Sequence, residues 1–362
     1  MMKYTFHQEF EGWKEFSARP LQERLPLFFR EGRIYDVLFS QQFNRSFLDS
    51  LSVLTNRIRR IAKTPRGISW LHELHAHQRA MLYFVQPSTR TFLSFLNACH
   101  ILGFHTSEIR DPQISSEIKG ESPEDSIRTF SSYVDLIIMR HPQEGFAEKT
   151  AWLLNAFSDR PVPVINAGSG KDQHPTQALL DVYTLQRSFQ DTGGIDGKVI
   201  AMVGDLKRGR TVRSLSYLLK NYEGVKILYA APPAFRIGED IREFLKSHEI
   251  PYEECDSLRA VLPQADALYM TRIQDEHDVE GESRSEYAEF SLHKGLLDLM
   301  KPSAIIMHPL PRRGEIDVMV DRDPRAMYWR QERNGMWTRA GLMTMIFGTE
   351  EQIRTDGDRF MD

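Results

Sequence analysis

Between Phe39 and Ile61, apolar side chains at Phe43, Phe47, Leu51, Leu54, Ile58 and Ile61 recur every three or four residues. That spacing predicts an amphipathic helix, and the basic end (Arg57, Arg59, Arg60) suits a helix C-terminus. A turn at Thr64-Pro65-Arg66-Gly67 follows. Met81 to Val85 is an apolar run of strand length, stopped by Pro87. Behind it come Ser88, Thr89, Arg90 and Thr91; then Phe92, Phe95, Leu96, Cys99 and Leu102 return at helical spacing, with Gly103 placed as a C-cap. Tyr133 to Met139 and Val162 to Asn166 read as further buried strands. The second leads through AGSGKDQHPTQ into a helix opened by Pro175.

After a linker-like stretch at 188–197 the pattern restarts. Strands at Lys198–Val203 and Val225–Ala231 flank a helix from Thr211, and Ala267–Met270 and Ala304–Met307 follow. Two strand–helix series predict an α/β fold with two doubly wound parallel-sheet domains. The expected division is a leader at 1–37, a first domain at 38–180, a second at 181–335 and a polar, frayed tail at 349–362. A closing apolar helix at about 336–348 completes the first domain. The leader is aromatic and charged, and its weak periodicity yields no role.

Composition alters this picture little. The 362 residues are 41% hydrophobic and 27% charged, with net charge −4, so there is ample core and no basic block for nucleic acid. Two cysteines cannot form a disulfide framework or a four-cysteine metal site. No apolar run approaches the roughly 20 residues that span a bilayer. The leader has charges throughout and no apolar core of a signal peptide, so the chain reads as cytosolic.

Candidate chemistry collects where strands end. Three hydroxyls and a guanidinium at a helix N-terminus, Ser88 to Thr91, make an anion site suited to phosphate. A plain serine cap with an exposed arginine is the alternative, and four such residues in a row weigh against it. A polar loop at about 110–125 carries Ser115, Ser116 and Lys119 and reads as a mobile surface segment. Arg140 and His174 each follow a strand, where parallel sheets bind ligands. Gly204 to Arg210 nearly fits a P-loop but has Arg210 in place of lysine and Asp205 where phosphate would be repelled, so it presents an arginine instead. Arg272 and Gln274 follow another strand. Pro309 and Pro311 flank Leu310 without backbone donors, making that turn an acceptor for N–H groups.

Seven ordered motifs carry a resemblance: STRT at 88–91, SSEIKGE at 115–121, MRHPQEG at 139–145, HPTQ at 174–177, VGDLKRGRTVRSL at 203–215, YMTRIQ at 269–274 and HPLPR at 308–312. Together they closely resemble catalytic chains of the aspartate carbamoyltransferase family, from about Phe39 to Phe347. The resemblance implies an active site between the two domains and a C-terminal helix returning to the first. It implies formation of N-carbamoyl-L-aspartate and phosphate from carbamoyl phosphate and L-aspartate, the committed step of de novo pyrimidine biosynthesis. Carbamoyl phosphate would lie on Ser88, Thr89, Arg90, Thr91 and Arg140. Thr91, Arg140 and His174 would face the carbonyl oxygen, and Gln177 with Pro309, Leu310 and Pro311 the NH2 group. Arg210, Arg272, Gln274 and Lys119 would hold aspartate. Ser115 and Lys119 would reach in from the neighbouring subunit of a homotrimer. No metal or cofactor is implied; regulatory or pathway subunits are left open.

Ornithine carbamoyltransferase is the nearest competitor, but an ammonium side chain would be repelled by Arg210 and Arg272. A non-catalytic relative and a nucleotide-binding enzyme using the near P-loop are the other readings. Four positions depart from the family pattern. Phe92 and Leu96 stand where an Arg–Glu pair is common, and Gln86 and His277 where an inter-domain ion pair is expected.

Overall fold

The computed structural model describes residues 6–111, 121–158, 160–170, 173–272 and 289–360. The chain divides into two compact units, Met1–Gln42 with Val53–Pro175 and Arg339–Asp362, and Phe43–Ser52 with Thr176–Thr338.

The first unit opens with α1 (Phe6–Ser17), α2 (Leu21–Arg24) and a short hairpin of β1 (Phe29–Arg30) and β2 (Arg33–Ile34). Helix α3 (Arg45–Ile61) begins later than its apolar repeat because Asn44 caps it, its Oδ1 accepting from Phe47 N at 2.9 Å. Upstream, Gln42 Oε1 accepts from the Leu38 and Phe39 N–H groups at 2.6 and 2.9 Å. Then come α4 (Pro65–Glu73), β3 (Arg79–Tyr83), α5 (Thr89–Leu102), β4 (His105–Ile109), α6 (Pro123–Ser131), β5 (Leu136–Met139), α7 (Phe146–Phe157) and β6 (Val164–Asn166). The sheet is parallel, in the order β4-β3-β5-β6. Its chain order reverses between β3 and β5, so their carboxyl ends flank a crevice of the kind that binds ligands.

The second unit contains α8 (Pro175–Ser188), β7 (Val199–Val203), α9 (Arg210–Leu219), β8 (Lys226–Ala230), α10 (Glu239–Ser247), β9 (Tyr252–Cys255), α11 (Leu258–Val261), β10 (Ala267–Met270) and β11 (Ile305–Met307). Its five strands are also parallel, ordered β11-β10-β7-β8-β9, with the reversal between β7 and β10. The two parallel α/β sheets are those the periodicity predicts.

Two expectations are corrected. The C-terminal helix α12 (Tyr328–Phe347) starts eight residues before the expected 336. Its first turns bury polar side chains, Gln331 at 1% and Asn334 at 4% exposure, so no apolar period marks them. Over its described residues, 349–360, the tail is not frayed: α13 (Glu350–Thr355) buries Ile353 completely, and Phe360 stacks on Trp70 at 5.3 Å. The leader is likewise part of a core. Phe16 and Phe28 are buried, and Trp13 and Phe16 pack on Trp152 of α7.

Candidate active site

In the first unit the candidate residues gather at the β3–β5 reversal. Ser88 is the N-cap of α5 in extended conformation, and its side chain makes no capping hydrogen bond. Thr89, Arg90 and Thr91 form the first turn of that helix, with Arg90 exposed and Thr91 8% exposed. Gly103 closes the helix in the left-handed conformation, φ 86°. Gln86 N donates to Arg140 O at 3.1 Å and Arg140 N to Tyr83 O at 2.8 Å, which ties the turn after β3 to the end of β5.

Arg140 and His174 are brought together over Gly168. A Cβ added to that glycine would lie 2.7 Å from His174 Cδ2, 2.9 Å from His174 Nε2 and 3.0 Å from Arg140 Nη1. Both side chains are nearly buried, at 9% and 4% exposure. Arg140 Nη1 also donates to Ala167 O at 3.3 Å. Gly168 has φ 98°, a region open to glycine and costly for other residues. Asn166, which the sequence reading passed over, shapes this shelf: its Oδ1 accepts from Gly168 N and Ser169 N at 2.9 and 2.8 Å. Ser169 Oγ in turn accepts from His141 N at 3.1 Å. The available signal was an asparagine at a strand's carboxyl end with a glycine two residues on.

In the second unit the candidates gather at the β7–β10 reversal and on the turn after β11. Arg210 is the first residue of α9, capped by Gly209. Asp205 is buried and accepts from Arg208 N at 3.0 Å, so its carboxylate organises the loop. Gly204 follows β7 with φ 115°, and a Cβ there would meet Thr271 O at 2.4 Å; that close approach sets Arg272 at the end of the adjoining strand β10. Arg210 and Arg272 are both half-buried.

His308 builds the turn at Pro309, Leu310 and Pro311. Its Nδ1 accepts from Leu310 N at 2.7 Å, which leaves Nε2 to donate to Glu315 Oε1 at 2.7 Å. Burial works against the Glu315 charge, but His308 and backbone N–H groups hold its carboxyl below the ordinary range. Leu310 takes φ 48°, unusual for a non-glycine residue, and the Leu310–Pro311 bond is cis. Gln177 lies on α8, 6% exposed, with Nε2 donating to Asp181 Oδ1 at 3.0 Å. Ser115, Lys119, Gln274 and His277 lie outside the described residues. Among the described residues no group of three His, Cys, Asp or Glu could hold a metal ion, and no helix is long and apolar enough to cross a membrane.

The arrangement thus offers arginines, a histidine and an open helix N-terminus to anionic ligands, with carboxylates kept inside as scaffold. Comparison with known proteins agrees. The carbamoyl-phosphate-binding domain model of aspartate/ornithine carbamoyltransferases matches residues 36–187, and the aspartate/ornithine-binding domain model matches residues 196–346. A chloroplastic aspartate carbamoyltransferase of Oryza sativa is 40% identical over 87% of this chain and 85% of its own. The catalytic subunit from Chromobacterium violaceum is 39% identical over 82% of this chain and 94% of its own. Among solved structures, the catalytic subunit of M. jannaschii aspartate transcarbamoylase has TM-score 0.77 and 35% identity, covering 88% of this chain and 99% of its own. The Trypanosoma cruzi enzyme, solved with carbamoyl aspartate and phosphate, has TM-score 0.75 and 33% identity over 86% of this chain and 95% of its own. The chain belongs to the aspartate/ornithine carbamoyltransferase family.

Proposed function

We propose that the chain transfers the carbamoyl group of carbamoyl phosphate to the amino group of L-aspartate, as in the committed step of pyrimidine synthesis. The observation that carries this reading is the convergence of Arg140 and His174 over the bare Cα of Gly168. Two buried donors side by side suit a carbonyl oxygen that gains charge as the amine attacks.

In this reading Ser88, Thr89, Arg90 and Thr91 hold the phosphate at the α5 N-terminus, and Thr91 joins Arg140 and His174 at the oxyanion. Gln177 and the turn at Pro309, Leu310 and Pro311 accept hydrogen bonds from the carbamoyl NH2. Arg210, Arg272, Gln274 and Lys119 bind the two aspartate carboxylates, for which planar guanidinium forks are suited. The amine nitrogen bonds to the carbonyl carbon, the C–O bond to phosphate breaks, and the departing phosphate takes the amine proton. Positioning and charge stabilisation supply the acceleration, without a covalent enzyme intermediate. The reading extends to a homotrimer in which Ser115 and Lys119 serve a neighbour's site. It also extends to a cytosolic location, in keeping with two free, buried cysteines.

The purified chain is expected to release N-carbamoyl-L-aspartate and phosphate in equal amounts from carbamoyl phosphate and L-aspartate. Turnover with ornithine and none with aspartate would overturn the assignment.

A further inference from the structure

We propose that Asp181 is a positioning residue that sets the carbamoyl end of the site, by fixing which end of the Gln177 amide faces the ligand and by anchoring the Leu310 turn. The inference rests on the carbamoyl-transfer reading and adds to it a residue that touches no substrate.

Asp181 is wholly buried, and its hydrogen-bond partners are all donors. Its Oδ1 accepts from Gln177 Nε2 at 3.0 Å and from Gln331 Nε2 at 2.6 Å, and its Oδ2 from Tyr269 Oη at 2.8 Å. Burial pushes Asp181 up to about 7, so at pH 8 and above it is an ionised carboxylate, which can only accept and therefore selects the NH2 end of each amide. Gln177 is thereby left with Oε1 as its outward end. A carbamoyl NH2 offers only donors there, and a reversed amide would set donor against donor. The second arm works the same way. With Nε2 committed to Asp181, Gln331 turns Oε1 to His308 N at 2.8 Å, and His308 Nδ1 receives Leu310 N at 2.7 Å. A third arm passes through Tyr269 to the hydroxyl of Thr211, next to Arg210. One carboxylate therefore ties together α8, β10, α12 and the turn after β11.

Asp181→Leu, assayed at pH 8.5, supplies the test, because a side chain of similar size with no acceptor releases all three donors and frees both amides to reverse. KM for carbamoyl phosphate should rise about tenfold or more, while inhibition by inorganic phosphate, held by Ser88–Thr91 and Arg140, stays within about twofold of wild type. Because one of the arms runs through Gln177, adding Asp181→Leu to Gln177→Ala should lower kcat/KM by less than Asp181→Leu does in the wild-type background, leaving about the fivefold owed to the Gln331 arm, a non-additivity expected of coupled residues. Full additivity, or an unchanged KM, overturns the inference while leaving the parent reading intact. A wild-type chain without carbamoyl transfer defeats both. If Asp181→Leu does not fold, Gln331→Met cuts only the arm to His308. It should raise the same KM about fivefold, and no rise overturns the proposal.

Discussion

A methyl group at residue 168 would press on His174 and on Arg140 Nη1 at 3.0 Å or less, from a backbone with φ 98°. Gly168→Ala would therefore combine backbone strain of about 1–3 kcal/mol with displacement of two donors. Misplacing such donors costs roughly 100- to 1000-fold in turnover. Kinetics of Gly168→Ala should show a loss of about that size, with an unchanged far-UV circular dichroism spectrum and melting lowered by several degrees. Arg140 and His174 were legible in the sequence because polar residues just past buried strands stand out. Gly168 was not: the three glycine and serine residues in AGSG look alike until the shelf made by Asn166 shows which one lies under the imidazole. Phe92 belongs to the same class. Its departure from the family pattern is visible in sequence, but its partners, Phe84 edge-on at 5.4 Å and the Arg110 guanidinium at 4.2 Å, are not.

At the level of elements, the fully buried strands were readable, while the half-exposed edge strands β4 and β9 and the segments with unusual burial were not. The leader hides its core residues, Phe16 and Phe28, in short pieces whose partners lie far along the chain. Helix α12 hides its early turns behind buried glutamine and asparagine. The docking of the last segment on the first unit centres on His75, which is 2% exposed. Its ring stacks on Phe104 at 4.7 Å and lies 5.3 Å from Phe347, and Nε2 accepts from Thr349 Oγ1 at 3.1 Å. Burial pushes the imidazole down from 6.5 to about 4. The neutral ring is thus favoured by folding, so its contribution is complete above pH 6.5 and is lost as pH falls toward 4. Burial pushes Asp36 and Asp181 the other way, up to about 7, and these gain stability over the same fall. The histidine is isolated by comparing variant with wild type. Between pH 7.5 and pH 4.5, His75→Phe should lose less stability than wild type by on the order of 2 kcal/mol, read from urea unfolding at both pH values.

For the whole molecule, periodicity gave the buried strands and their α/β character but could not give their order, since a buried strand carries no mark of its neighbours. The orders β4-β3-β5-β6 and β11-β10-β7-β8-β9 supply the reason the candidate residues fall where they do. Each set sits at its sheet's reversal of chain order, Arg90 and Arg140 at one and Arg210 and Arg272 at the other. The proposed trimer makes a quantitative claim at this scale. Suppose each site takes Arg90 from one chain and Lys119 from the next, and inactive Arg90→Ala and Lys119→Ala chains are mixed equally, dissociated and reassembled. A site is then intact only when the chain supplying Arg90 is the Lys119→Ala variant and its neighbour is the Arg90→Ala variant. Random assembly makes each condition true half of the time, so about one quarter of wild-type activity should return. If both residues serve the site of their own chain, every site in every mixture carries one defect, and activity stays at the level of the separate variants. The rescued fraction, measured on mixed trimers of verified mass, decides whether the functional unit is one chain or a shared boundary between chains.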